Sequence, residues 1–211
     1  MFLLLAAELL LSSDVVRAEN KVLTSSKLTA PRPSIAAAAI GNKISGDKVL
    51  VVYFSRSGNT KLLAREISRY YQSALLPIKA EDYPVGIAGL FNAVVDSQDK
   101  FARIKPQKVD LSGYDIVFIG APIWFGSPAP PAWQFVANNK LSDKGVVLFS
   151  TFNSGFKQQF IDDYKAAVEL RGGRYIDHLY IRRGRLLGQL NADDFLLKAR
   201  DELDCLVLNA L

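Results

Sequence analysis

Three apolar runs divide the chain and predict strands that are buried on both faces. They are KVLVVYF at 48–54, DIVFIG at 115–120 and GVVLFS at 145–150. A strand with one exposed face alternates apolar and polar residues, whereas these runs are almost continuously apolar. That pattern is typical of the interior of a parallel sheet. Two further segments, 74–78 and 174–181, have the same propensity and predict two more strands.

Segments with helical spacing separate these strands. In 61–72, the apolar positions Leu63, Ile67 and either Tyr70 or Tyr71 share one face, and the charged positions are expected on the outer face: Arg65, Glu66 and Arg69. The remaining predicted helices are a less regular one at 86–101, one opened by Pro130 and Pro131 that continues through Phe135, and one that carries Phe160, Tyr164 and Val168 and ends at Gly172-Gly173.

The last helix has the clearest start, because Asn191 is a natural N-cap and Asp193 and Asp194 suit the positive end of the helix dipole. Its inner face is predicted to hold Phe195, Leu196, Ala199, Leu203 and Leu206 or Val207. Five strands therefore alternate with five helices. This alternation predicts an α/β fold in three layers, with a parallel sheet between helices and ligands at the carboxyl ends of the strands.

The first 47 residues differ in character from the rest. Residues 1–18 combine an apolar stretch with small residues before a cleavage position after Ala18, a pattern that predicts a signal peptide and export to the periplasm or the medium. Glu8 and the lack of a preceding Lys or Arg depart from that pattern, and without cleavage the expected location is cytoplasmic. Residues 19–47 have no sustained period and are predicted to be a linker, so that the folded domain comprises 48–211.

Composition excludes several classes of function. The 26 Lys and Arg residues exceed the 21 Asp and Glu residues only modestly, for a net charge of +5, and most are scattered, so we predict no nucleic-acid binding. A single Cys and a single His predict neither a disulfide nor a metal site. No apolar run reaches the roughly 20 residues that span a bilayer. The chain also lacks the glycine motifs of nucleotide triphosphatases and dinucleotide-binding proteins, and a nucleophile elbow.

Hydroxyl groups follow the first strand. The segment Ser55-Arg56-Ser57-Gly58-Asn59-Thr60 leads from that strand directly into a helix. The free N–H groups and the dipole of a helix N-terminus favour an anion, and hydroxyls add further donors. A simple helix cap explains any one of these hydroxyls, but three of them at one junction favour a phosphate-binding loop.

Aromatic residues and glycines follow the third and fourth strands, at 120–128 and 150–156. Aromatic rings at loop tips are costly in water unless they cover something flat, and glycines let backbone amides approach its polar edge. The alternative is that Trp124 and Phe152 pack down onto the sheet. Beside a phosphate loop, these segments predict a site for a planar ring that carries a phosphate.

The motifs VVYFSRSGNT at 51–60, GAPIWFGSPAP at 120–130 and STFNSG at 150–155 resemble those of the flavodoxin-like flavoproteins. The resemblance covers 48–190 and implies a three-layer flavodoxin-like sandwich with strand order 2-1-3-4-5 and bound flavin mononucleotide (FMN). It implies that the phosphate is held by Ser55, Ser57, Gly58, Asn59 and Thr60, and Arg56 of the same loop is a further expected cofactor-binding residue. It further implies that the flavin ring lies between two groups of residues: Pro122, Ile123, Trp124, Phe125 and Gly126 on one side, and Thr151, Phe152, Asn153 and Gly155 on the other. An uninterrupted fifth strand is similar to that of the short-chain members.

The basic charge departs from the acidic surface that is typical of flavodoxins that act as electron carriers, and it leads us to expect a less negative flavin potential. Three functions remain open. The protein is an electron carrier for a redox partner protein, an NAD(P)H-dependent reductase of quinones or other small acceptors, or a flavin-free module that binds a phosphorylated ligand or has an interaction role only.

Three other features receive structural interpretations. Arg182, Arg183 and Arg185 form a cluster after the fifth strand that is predicted to be a solvated strand end, with an anionic nucleotide or an acidic partner as the alternative ligand. His178 is interpreted as a structural or surface residue. Cys205, on or near the apolar side of the last helix, is predicted to be a small buried hydrophobe.

Overall fold

The computed structural model describes residues 22–24, 44–80, 102–184, 188–206 and 208. Its strands are β1 (Val22–Thr24), β2 (Val49–Tyr53), β3 (Ala74–Pro77), β4 (Lys79–Ala80), β5 (Ile104–Lys105), β6 (Ile116–Trp124), β7 (Ser127–Pro128), β8 (Gly145–Phe152), β9 (Gly155–Lys157) and β10 (Arg174–Arg182). Its helices are α1 (Asn59–Tyr71), α2 (Pro130–Asn138), α3 (Gln158–Leu170) and α4 (Ala192–Cys205), and a single 3₁₀ turn (Gly46–Lys48) precedes β2.

Five parallel strands form the central sheet in the order β3-β2-β6-β8-β10. Numbered among themselves along the chain, these strands have the order 2-1-3-4-5, which confirms the predicted fold class. Every residue of β2 and of β8 is buried, as their continuous apolar sequences predict. The fifth strand is uninterrupted apart from a bulge near Ile176. The carboxyl ends of β2, β6 and β8 consequently lie side by side at one edge of the sheet.

Two apolar clusters hold helices against the two faces of this sheet. On one face, Leu63 of α1 and Phe195 of α4 pack with Val51 of β2 and its neighbours. On the other face, Phe135 of α2 and Tyr164 of α3 pack with Leu50, Val52 and their neighbours. Successive strand residues contribute to opposite clusters because strand side chains alternate between faces. The result is the three-layer arrangement that the alternation of elements predicts.

Helix α4 lies beside α1 and runs in the same direction. This packing shows that the predicted outer position of Glu66 is wrong. The Glu66 side chain, expected on the outer face of α1, is 5% exposed and forms ion pairs with Arg69 and with Arg200 of α4. Near the other end of α1, the Tyr70 hydroxyl donates a hydrogen bond to Asp204 of α4. The periodicity of α1 alone does not show that a second helix covers this side.

The ends of α3 and α4 also differ in detail from expectation. In α3 the fully inward positions are Ile161, Tyr164 and Val168, and Phe160 is only partly buried. Cys205 is exposed, so the prediction that it is a buried hydrophobe is wrong. Cys205 lies two residues after the buried Leu203, and two helical steps turn a side chain to the opposite face.

Several predicted segments lie wholly or largely outside the described residues. The signal peptide at 1–18 and the helix at 86–101 fall there and stay predictions. The domain boundary at 48 lies within the described residues, and it also stays a prediction. Within the predicted linker, β1 pairs in antiparallel fashion with β9, so this part of the segment contacts the domain. None of the helices in the described ranges combines the length and the apolar character needed to cross a bilayer.

Gly120 of β6 packs directly against the Phe149 ring of β8, so its substitution tests the packing of the sheet. A Cβ added there would lie 2.0 Å from the Phe149 ring of β8. We expect Gly120→Ala to lower the free energy of unfolding by about 1–3 kcal/mol, because the core is already filled. Urea unfolding measures the change. Gly113→Ala, where an added Cβ meets nothing within 4 Å, is the control and should change stability by less than about 0.5 kcal/mol. Equal effects of the two substitutions would contradict this packing.

Candidate functional site

Three loops at the carboxyl edge of the sheet enclose a cavity of about 450 Å³. They are the β2–α1 loop, the β6–β7 turn and the β8–β9 turn. The cavity is lined by Arg56, Ser57, Asn59, Pro122, Ile123, Trp124, Phe125, Gly126, Thr151, Phe152, Asn153, Ser154 and Gly155. Its volume falls in the range of about 300–1,000 Å³ that is usual for small-molecule sites.

Most of the predicted site residues line this cavity, and three do not: Ser55, Gly58 and Thr60. These three shape the β2–α1 loop instead. The Ser55 Oγ accepts a hydrogen bond from the Gly58 amide at 3.2 Å. The buried Thr60 hydroxyl lies 2.9 Å from the Thr151 hydroxyl, which ties the start of α1 to β8. Sequence reasoning missed Ser154, although its hydroxyl lies inside the STFNSG segment between two predicted residues.

The N-terminus of α1 adjoins the cavity without a side-chain cap. Gly58, its N-cap residue, has the left-handed backbone conformation with φ of 93°, which favours glycine. In the part of the chain that the structure describes, no side chain caps α1, α2 or α3, whereas at α4 the Asn191 Oδ1 accepts a hydrogen bond from the Asp194 amide. The first N–H groups of a helix have no intrahelical acceptor and carry partial positive charge. A ligand with a hydrogen-bond acceptor can enter the cavity and accept hydrogen bonds from these N–H groups.

The aromatic side of the cavity is built by the β6–β7 turn. Strand β6 continues past its predicted end at Gly120 to Trp124, because it turns back at Phe125 and Gly126 and pairs with β7. Both turn residues have positive φ, 49° and 89°. Phe125 is 58% exposed, and Trp124 is half-buried with its ring packed edge-on against Phe54, their centroids 5.7 Å apart.

The two aromatic candidates therefore have different roles. Phe152 borders the cavity, but it is 5% exposed and packs against the rings of Phe156 and Tyr180, so most of its ring belongs to the core, as the alternative interpretation predicts. Trp124 is only half-buried and lines the cavity, where the Arg56 guanidinium lies 5.6 Å from its ring centroid. Trp124 and the exposed Phe125 are the two aromatic side chains of the β6–β7 turn that offer surface to a flat ligand.

The charge of the site favours anions. Arg56 is the one ionisable side chain among the described lining residues, and no carboxylate lines the cavity there. A second cation, Arg182, donates a hydrogen bond from Nε to the Asn153 carbonyl at 3.1 Å. With the helix N-terminus, these groups make the cavity electrostatically positive.

The arginine cluster after β10 differs from the predicted solvated strand end. Arg182 is exposed but bonded to the β8–β9 turn, and Arg183 is half-buried, with its guanidinium bonded to Asn59 and to the Asn191 carbonyl. The interpretation as a free surface cluster is wrong for Arg183, because the start of α4 and the β2–α1 loop meet there. Arg185 lies outside the described residues.

His178 has the predicted structural role. It is buried, its Nε2 lies 2.5 Å from the Ser150 hydroxyl, and its ring packs against Phe156 and Tyr180. His178 lies on β10 beside β8, and it is not among the residues that line the cavity.

The comparisons with known proteins agree with this geometry. The sequence profile of the family described as flavodoxin matches residues 48–180. A candidate flavoprotein from Bacteroides eggerthii DSM 20697 is 24% identical with a TM-score of 0.61, and the match covers 77% of this chain and 99% of that one. A candidate flavoprotein from Bacteroides uniformis ATCC 8492 is 20% identical with a TM-score of 0.58, covering 67% and 94%.

A third solved structure is a flavoprotein from Lactobacillus acidophilus NCFM in complex with FMN. It is 24% identical with a TM-score of 0.52, and the match covers 64% of this chain and 93% of that one. No curated protein sequence matches the chain. The structural likenesses show the fold, and the profile match shows the family.

Ser57 provides a test of anion binding at α1. Ser57→Asp places a carboxylate beside the uncapped N-terminus, where it stabilises the helix but repels an anion. We expect the variant, freed of bound ligands, to melt slightly above the unsubstituted protein and to bind inorganic phosphate about tenfold more weakly.

Calorimetric titration with phosphate and thermal melting measure the two effects. The control is Ser142→Asp, which adds the same charge at an exposed position before β8, at the opposite edge of the sheet. Unchanged phosphate affinity in the Ser57 variant would show that anions do not bind at this helix.

Proposed function

The chain belongs to the flavodoxin family, and we propose that it is a flavoprotein that transfers electrons through non-covalently bound FMN. One observation carries the proposal: the uncapped N-terminus of α1 and the half-buried Trp124 ring line the same cavity. FMN has a phosphate at one end and a flat aromatic ring at the other. The donor set and the aromatic surface match these two parts.

The β2–α1 loop would hold the phosphate. The residues that supply donors are Ser57, through its exposed hydroxyl, and Asn59, together with the first backbone amides of α1. No carboxylate among the described lining residues opposes a dianionic group. Arg56 adds positive charge on the same loop.

The two remaining loops would border the flavin ring. Trp124 offers an aromatic face, and the turn at Phe125 and Gly126 lines the cavity next to it. Thr151 and Asn153 lie on the other side. When bound, FMN supplies the redox chemistry, which accepts and donates electrons in one or two steps. The protein contributes binding, orientation and the local electrostatic field.

Arg56 provides the main charge of that field. Reduction of a flavin tends to increase the negative charge of its ring, and a nearby cation stabilises that charge. The positive lining therefore supports the expectation that the flavin potential is less negative than in acidic relatives. The same charge favours acidic redox partners or anionic small acceptors over basic partner proteins.

Spectroscopy of the purified chain tests the proposal. The protein should carry the visible absorbance of flavin, release FMN on denaturation, and rebind FMN after its removal. Protein that folds, remains colourless and does not bind added FMN would overturn it. Protein loaded with FMN should exchange electrons with chemical reductants and with redox proteins. Rapid oxidation of NADH or NADPH in the presence of a quinone would instead identify a reductase.

Arg56→Gln tests the electrostatic role of the lining cation. We expect the midpoint potential of the bound flavin to fall by tens of millivolts, on the order expected for the loss of one charge near the ring. Potentiometric titration measures the shift. Lys198→Gln removes the same charge from the exposed side of α4 and should leave the potential nearly unchanged. Similar potentials in the unsubstituted protein and the Arg56 variant would refute this role.

A further inference from the structure

Arg183 lies where four elements meet. Its backbone amide donates to the Phe152 carbonyl of β8 at 2.8 Å, and its carbonyl accepts from the Leu190 amide at 2.9 Å. Arg183 directly follows β10, and Leu190 precedes the N-cap of α4. The backbone is thus fixed on both sides of the residue, which directs its side chain toward the start of α1.

The guanidinium of Arg183 makes three contacts there. Its Nε donates to the Asn59 Oδ1 at 3.3 Å, and its Nη1 donates to the Asn191 carbonyl at 2.9 Å. The group also lies 5.5 Å from the ring centroid of the buried Phe195. A planar guanidinium has donors in a fixed fork and can serve two acceptors while it stacks on a ring, which a lysine ammonium cannot reproduce.

The hydrogen bond from Arg183 determines the orientation of the Asn59 side-chain amide. Arginine has donors but no acceptor, so the atom of Asn59 that faces Nε has to be the oxygen. The amide is planar, and its NH₂ group therefore points away from Arg183. Asn59 lines the cavity, and within the described residues no group accepts a hydrogen bond from that NH₂. Arg183 thus makes Asn59 a donor toward the cavity.

The Arg183 guanidinium also adds a positive charge close to the N-terminus of α1. In the part of the chain that the structure describes, its hydrogen bonds go to one amide oxygen and one carbonyl oxygen, and no carboxylate pairs with it. The ion pair between Glu66 of α1 and Arg200 of α4 holds these two helices side by side. The charge and the oriented amide both act beside Asn59, at the start of α1.

We propose that Arg183 is a positioning residue that orients the Asn59 amide and thereby selects ligands with a terminal phosphate. This inference rests on the proposed function, because it assigns the part of the site that distinguishes FMN from riboflavin, the same ring without the phosphate. The Arg183 side chain contacts Asn59, Asn191 and Phe195, and only its backbone amide bonds to Phe152. We therefore expect side-chain substitutions of Arg183 to affect phosphorylated ligands alone.

The test compares the affinities of the full chain, freed of bound ligand, for FMN and for riboflavin. We expect Arg183→Gln to weaken FMN binding about tenfold, the effect of losing a hydrogen bond to a charged group, and to leave riboflavin binding within about twofold. Arg183→Lys, which keeps the charge without the fork, should lie between. The control is Arg171→Gln, since Arg171 also donates a guanidinium hydrogen bond to a carbonyl, that of Asn139, far from the cavity.

Asn59→Asp provides a second variant that does not require the loss of Arg183. The carboxylate keeps an acceptor for Arg183 but has no N–H to donate, so FMN affinity should fall selectively while the melting temperature is preserved. Combining Arg183→Lys, which keeps the charge, with Asn59→Ala should weaken FMN binding little more than Asn59→Ala alone, because the amide that Arg183 orients is then already absent.

Each outcome separates the two claims. If the unsubstituted protein binds neither FMN nor riboflavin, the proposed function and this inference both fail. If it binds FMN, and Arg183→Gln weakens FMN and riboflavin equally or changes neither, only the role of Arg183 is overturned. Additive effects of the Arg183 and Asn59 substitutions would also contradict it.

Discussion

The site depends on one helix end that the protein leaves without a side-chain cap. The chain passes from the buried strand β2 through Gly58, whose backbone is left-handed, directly into α1. Within the described residues no side chain caps the first amides of α1, and the start of this helix adjoins a cavity. Among the described helices only α4 has a side-chain cap, from Asn191, and α1 differs from the uncapped α2 and α3 in that it begins at the left-handed Gly58 and adjoins the cavity.

The sheet determines where the other parts of the site lie. Because β2, β6 and β8 are neighbouring parallel strands, the loops that follow them emerge at one edge. Contacts beneath the cavity then fix each loop. The hydroxyls of Thr60 and Thr151 join α1 to β8, and the close approach of Phe149 to Gly120 joins β8 to β6. Packing beneath the cavity thus determines which donors and which aromatic surfaces line it.

Sequence patterns were sufficient for the framework and for most of the cavity lining. Continuous apolar runs predicted the buried strands, and the residues directly after them predicted the loops. Patterns along one element do not show what a neighbouring element supplies, which is why Glu66 was misplaced: Arg200, far along the chain, pairs with it. The same reason applies to Arg183, whose bonds to Asn59 and Asn191 join segments distant in sequence. Phe152 was ambiguous because an aromatic residue at a strand end can face either the core or the ligand.

Backbone amide NMR spectra test the central claim most directly. On addition of FMN, the account predicts downfield shifts of the amide protons of Asn59, Thr60 and Lys61, which begin α1, as they donate to the phosphate. The amide protons of Asp193 and Asp194, in the first turn of the capped helix α4, should move much less. Bound FMN that leaves the first turn of α1 unperturbed would contradict the account, because the phosphate would then lie elsewhere.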